Sequence, residues 1–130
     1  MGDEVNLPAD DTDLENDYSV QDYLDVDLND EIRVCQTATQ QYMIHQFKDF
    51  VGTAPQLHLK WIGRSTLAPS VSIVKLEIYN QVTTTWVEVD SDNATAEDTD
   101  FTLEGDVTVD VDNYKDATNI ISCRVWQQAL

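Results

Sequence analysis

From Tyr18 onward, apolar and polar residues alternate with period two, the spacing of half-buried strands. Residues 71–79 are the cleanest case: Val74, Leu76 and Ile78 point one way, and Lys75, Glu77 and Tyr79 the other. Residues 56–62 gather Leu57, Leu59 and Trp61 opposite His58 and Lys60. In 41–50, Met43, His45 and Phe47 oppose Tyr42, Ile44 and Gln46, which predicts a strand covered on both faces. Residues 119–127 set Ile121, Cys123 and Val125 against Ile120, Ser122, Arg124 and Trp126. Shorter runs at 32–36, 84–89, 101–103 and 107–111 complete the series, the last with Val107, Val109 and Val111 on one face. Turn residues separate the runs at 52–55, 63–65, 68–70, 80–81, 91–93, 104–106 and 112–113. The best helical window, 37–50, lacks a 3.6-residue period, and no internal repeat indicates a solenoid. About eight short strands at roughly ten-residue spacing predict an all-β fold, a sandwich or a barrel; the antiparallel β-sandwich is the expectation carried forward.

Three segments carry a resemblance: Trp61-Ile62-Gly63-Arg64-Ser65, then Val74-Lys75-Leu76-Glu77-Ile78-Tyr79-Asn80, then Trp86-Val87-Glu88-Val89-Asp90. With the closing strand Ser122-Cys123-Arg124-Val125-Trp126-Gln127, they resemble a jelly-roll pattern of virion structural proteins from tailed phages and related archaeal viruses. Similar modules occur among carbohydrate-binding jelly rolls. The resemblance spans about residues 40–128 and implies a jelly-roll sandwich serving as a head-decoration, fibre or tail-associated part. It brings no catalytic residues with it. Independently of any family, residues 80–86 read as a hairpin with a polar tip, and Trp61 and Trp86 are expected to pack on the core, with stacking on a surface ligand the rival use of the same side chains.

Charge divides the chain. Seven Lys and Arg stand against 25 Asp and Glu, a formal net charge of -18. Twelve of the acids lie in the first 31 residues, which contain no Lys or Arg; the other 99 residues hold 13 acids and all seven bases, a net of -6. Residues 1–17 therefore read as an acidic extended or mobile arm, too poor in apolar side chains to offset its ordering entropy. Residues 18–130 read as the β-sandwich domain. Such a field repels phosphate backbones and anionic lipids, which argues against nucleic-acid and membrane partners. It also suits a protein kept hydrated in concentrated salt. The start carries neither a basic n-region nor an apolar h-region, and Asn6 breaks the myristoylation pattern after Gly2; either the chain is cytoplasmic when made or a leader has been removed, and synthesis in the host cytoplasm is the expectation carried forward.

Candidate chemistry is sparse. Asp-x-Asp pairs recur at 11/13, 25/27, 90/92, 98/100 and 110/112, a spacing that in a loop aims two carboxylates at one hard cation and in a strand places them on one solvated face. A structural Ca²⁺, the one cofactor considered, would be held by Asp90, Asp92 and Asp98, although Ala94 breaks the EF-hand pattern. His45 and His58 lie on different strands with no Cys nearby in sequence, which argues against zinc; His58 should face solvent, and His45 could be a satisfied core residue. Cys35 and Cys123 could pair or remain two buried thiols, and without a leader the reduced state is favoured. No nucleophile elbow, phosphate loop or H-E-x-x-H motif is present, so a non-enzymatic role is expected. Asn93-Ala94-Thr95 matches a glycosylation sequon, relevant only to an exported chain.

The expected function is a virion structural protein that binds other virion proteins, major capsid or tail and fibre subunits. Its acidic arm would order on a neighbouring subunit, within a homo-oligomer such as a trimer. The alternative is a carbohydrate-binding module or adhesin tip that stacks glycans on Tyr79, Tyr114 and Trp126.

Overall fold

The computed structural model describes residues 3–4, 6–12, 19–21, 24 and 42–130. Within them the protein is an antiparallel all-β sandwich. Six long strands carry it: β2 (Tyr42–Phe50), β3 (Leu57–Gly63), β4 (Val74–Asn80), β5 (Thr85–Asp92), β6 (Phe101–Val107) and β7 (Ile120–Gln128). A two-residue strand, β1 (Asp3–Glu4), pairs with Tyr42 and Met43 at the edge of β2. One sheet has the order β1-β2-β7-β4-β5, and the other is the pair β3-β6. The long strands pair first with last, β2 with β7, β3 with β6 and β4 with β5, all antiparallel. No helix among the described residues is long and apolar enough to cross a membrane.

The core lies between the sheets. Val74, Leu76, Ile78, Ile121, Cys123 and Val125 from the large sheet meet Leu57, Leu59, Phe101 and Leu103 from the small one. Each fully buried aliphatic side chain contributes about 1.5–3 kcal/mol by leaving water. Val111 plugs one end from a short 3₁₀ turn, Val111–Tyr114. The Cys123 thiol sits unbonded in this core, where burial, with Asp49 adding to it, pushes its pKa up. Cys35 and the strand expected over 32–36 lie outside the described residues.

Alternation places the faces correctly where it is strict. Register pairs Ile44 with Trp126 and Gln46 with Arg124, so these four share the outer face, while His45 and Phe47 face inward with Val125 and Cys123. The hairpin 81–84 is closed by Asn80, whose Oδ1 accepts from the N–H groups of Val82 and Thr83 at 3.0 Å each. A bulge between Leu76 and Glu77 of β4 leaves Val89 as the extra residue on β5.

Two expectations are corrected at glycines. The turns expected at 63–65 and 104–106 instead begin as strand: β3 runs through Gly63, and β6 runs unbroken across 104–106. A Cβ on Gly63 would stand 2.1 Å from the Trp61 ring, and one on Gly105 would stand 2.6 Å from Val89 Cγ1. Both glycines mark close approach, not chain reversal. The strand expected over 107–111 ends at Val107; Val109 is 71% exposed, and Asp110, at φ 51°, turns the chain into the 3₁₀ segment. Among the described residues the long strands are accordingly six, where about eight were expected over the whole chain, one of them at 32–36 outside the described residues.

Candidate functional site

An antiparallel sheet with one face on the core commonly leaves the other in water. Here the outer face of the large sheet is covered instead. Ile44 is 0% exposed, Ser122 2%, Arg124 3% and Tyr79 4%, although none of them lies between the sheets. Residues 8–12 of the N-terminal segment run across this face, and side chains from β2, β5, β7 and the 81–84 hairpin reach up to them.

Arg124 is the centre of the site. Its Nε donates to Glu77 Oε1 at 2.9 Å, its Nη1 donates to the Pro8 carbonyl at 2.7 Å, and its guanidinium carbon lies 4.1 Å from the Trp86 ring centroid. Burial pulls its pKa below the usual arginine range, and the adjacent Glu77 carboxylate opposes that pull. Glu77 Oε1 also accepts the indole N–H of Trp126. A buried ion pair with further hydrogen bonds is held in place rather than strongly stabilising, because desolvation consumes much of its Coulomb energy.

The other donors follow the segment. Trp86 Nε1 donates to the Asp10 carbonyl at 3.2 Å, and Gln46 Nε2 reaches the carbonyls of Thr12 at 3.0 Å and Asp11 at 3.3 Å. The Asp11 carboxylate accepts from Ser122 Oγ at 2.8 Å and Gln81 Nε2 at 3.1 Å. Asp10 turns away from the sheet and braces the segment by accepting from Thr12 Oγ1 and N, which lowers its pKa. Tyr79 lies beneath, 5.1 Å from the Trp86 ring; burial first, then the charges of Asp11 and Asp10, raises its pKa. Five donor side chains aimed at backbone carbonyls and one carboxylate form an arrangement that holds an extended acidic peptide.

The residues expected to bind a glycan are engaged elsewhere. Tyr79 is buried under the segment, Tyr114 packs against the core, and Trp126 is tied to Glu77 and meets Tyr42 edge-on at 5.6 Å. Tyr79 is buried, whereas Tyr114 and Trp126 are partly exposed. Trp61 packs against the core as anticipated, but Trp86 does not: it lies on the opposite face of the sheet, with Arg124 and Tyr79.

The expected cation ligands do not converge. Asp90 accepts from the N–H groups of Ser91 at 2.8 Å and Glu104 at 3.0 Å. Asp92 accepts from the N–H groups of Ala94 and Thr95 and from Thr95 Oγ1, bonds that together hold its pKa low against burial. Asp98 lies exposed on a loop at φ 54°. Among the described residues no three His, Cys, Asp or Glu side chains form a group fit for a metal ion. Asp90 and Asp92 serve as backbone caps because the open edge of β6 at Glu104 and the tight turn after Asp92 both leave N–H groups without ladder partners.

Two further polar groups are structural. His58 is exposed on the small sheet, as expected, with Nδ1 2.6 Å from Asp106 and Nε2 3.4 Å from Glu104; the hydrogen bond to Asp106 leads in raising its pKa. A polar cleft is lined by Gly52, Thr53, Asp112, Lys115, Asp116 and Asn119. Its Lys115 ammonium donates to the Ala54 carbonyl at 3.0 Å and Asp112 Oδ1 at 2.9 Å, which ties the 3₁₀ turn to the loop after β2.

Sequence reasoning missed Gln46, Glu77, Gln81, Ser122 and Arg124 as members of one site. The available signal was Arg124, a cation in a strand of an acid-rich chain, alternating with Ser122 and Trp126 on the face opposite the core. No protein-family model, curated protein or solved structure matches this chain.

Proposed function

We propose that the chain is a non-enzymatic structural subunit of a virion, a capsid-decoration, fibre or tail-associated component that binds neighbouring subunits. The observation that carries this reading is the nested pairing of the long strands, first with last. This nesting supports a jelly-roll reading: the described residues hold three nested antiparallel pairs, where the eight-stranded form found in viral capsid and lectin domains has four. The held N-terminal segment supports an assembly role as well, since segments of this kind commonly join subunits. A lectin on the same ribbon would need an exposed aromatic platform; of the three residues named for it Tyr79 is buried, and Tyr114 and Trp126 are partly exposed.

The test is mass spectrometry of particles purified on a density gradient from the organism that encodes the chain. Many copies per particle, co-migrating with a major shell protein, are expected. Recovery of the chain only from the soluble fraction would refute the reading, and selective glycan binding lost on Trp126→Ala would replace it with the lectin.

A further inference from the structure

We infer that the outer face of the large sheet is a peptide groove for Pro8-Ala9-Asp10-Asp11-Thr12, and that on assembly it takes this segment from a second copy of the chain. The inference rests on the assembly reading above and names the partner surface.

Three observations carry it. The groove holds the segment through side-chain donors: Arg124 to Pro8, Trp86 to Asp10, Gln46 to Asp11 and Thr12, and Ser122 with Gln81 to the Asp11 carboxylate. Residues 8–12 belong to no strand, and the ladder that travels with them is the two-residue β1 on β2, which the identical segment of the second copy can remake. The chain between Thr12 and Tyr42 is 29 residues, with an upper limit of reach of about 100 Å, so connectivity does not confine the segment to its own sheet. The chemistry also matches in kind: Glu77 neutralises Arg124, and the groove meets the Asp11 carboxylate with two neutral donors, Ser122 and Gln81. Identical contacts made within or between chains are nearly equal in energy, and concentration then selects between them. Each copy is strongly anionic, so the exchanged form should gain as salt screens the repulsion between copies.

A complementation experiment on the full chain tests this. Asp11→Lys spoils the segment and leaves the groove intact, whereas Gln81→Glu sets a carboxylate against Asp11 and leaves the segment intact. Both positions lie outside the strands, in the segment and the hairpin loop. Each variant alone should release the segment, read as cleavage by glutamyl endopeptidase after Glu4 and Glu15 about tenfold faster than in the wild type. Mixed one to one, the intact segment of one variant meets the intact groove of the other. In the reciprocal contact the new ammonium at position 11 meets the new carboxylate at position 81. Protection should therefore return, and the light-scattering mass should double from 14.7 kDa. The double variant places the reversed pair in a single chain. If it is protected while the mixture stays monomeric and rapidly cleaved, exchange is overturned and the assembly reading is left to the particle experiment. If the double variant is not protected, the groove itself is overturned.

Discussion

Acid should destabilise this protein through His45 before most of its carboxylates are protonated. His45 faces inward on β2, 5.5 Å from the Phe47 ring, and its Nδ1 accepts the Trp61 indole N–H at 3.0 Å. A ring that accepts at Nδ1 is neutral and carries its proton on Nε2. Burial lowers its pKa from 6.5 to about 4. Between those values the unfolded chain binds a proton that the folded chain refuses, so stability falls as pH falls. The contribution is whole above about pH 6.5 and is lost progressively down to about pH 4. The full gap corresponds to about 3.4 kcal/mol, which partial contact of this half-buried residue with water reduces to roughly 2–3 kcal/mol. Linkage places about 1.4 kcal/mol of the unreduced loss at pH 5.5 and about 2.6 kcal/mol at pH 4.5.

Urea melts at pH 7.5, 5.5 and 4.5, run on the wild type and on His45→Gln, isolate this contribution. Glutamine keeps an oxygen to accept the Trp61 N–H and does not titrate. Subtracting the two curves removes the lowered carboxylates Asp92 and Asp116, which titrate below 3.8. It also removes His58, whose raised pKa acts in the opposite sense, adding stability as pH falls. The wild type should lose about 2 kcal/mol relative to the variant between pH 7.5 and 4.5. A difference that stays constant within about 0.5 kcal/mol would refute the argument.

Gly105→Ala should cost about 1–3 kcal/mol in urea melts, since its Cβ would meet Val89 Cγ1 at 2.6 Å, and Val89→Ala in the same chain should return part of that loss. Thr84 is a β-branched residue at φ 54°, so Thr84→Gly should stabilise by about 1 kcal/mol and raise Tm by a few degrees in calorimetry. Arg124→Leu should destabilise by about 3–5 kcal/mol, because the part-buried Glu77 carboxylate loses its cation; adding Glu77→Gln should recover a large share, measured by the same melts.

The sandwich was legible where alternation is strict. In β4 and β7 every residue expected to face the core does so, and in β2 the expectation of cover on both faces holds for Ile44 and Gln46. Alternation gives a face but not a neighbour. The site needs Arg124 beside Gln46 and Glu77, a register set by pairing β7 with β4 and β2, and even the nearer of these partners, Glu77, lies 47 positions away in the chain. Local pattern carries no such information. Glycine misled for a related reason: Gly63 and Gly105 read as turns, whereas each removes a Cβ from the path of an aromatic ring or an opposing strand. The Asp-x-Asp pairs misled because a carboxylate that caps a backbone turn and one that binds a cation have the same sequence signature.

The excess of acid has two readings that Asp10 and Asp11 separate. If the negative charge of the N-terminal segment acts only to hold water against salt, the two neighbours are equivalent, and losing either removes one charge from the same place. The geometry makes them unequal. Asp11 accepts from Ser122 on the sheet and Gln81 in the hairpin, whereas among the described residues the Asp10 carboxylate bonds within its own segment, to Thr12. Asp11→Ala therefore removes a carboxylate with two sheet donors, worth about 1.5–3 kcal/mol of docking, and should raise cleavage after Glu4 about tenfold or more. Asp10→Ala should change it by less than about threefold, since an exposed local bond holds little. Equal effects from the two substitutions would mean that bulk charge, and not recognition by the groove, governs the segment.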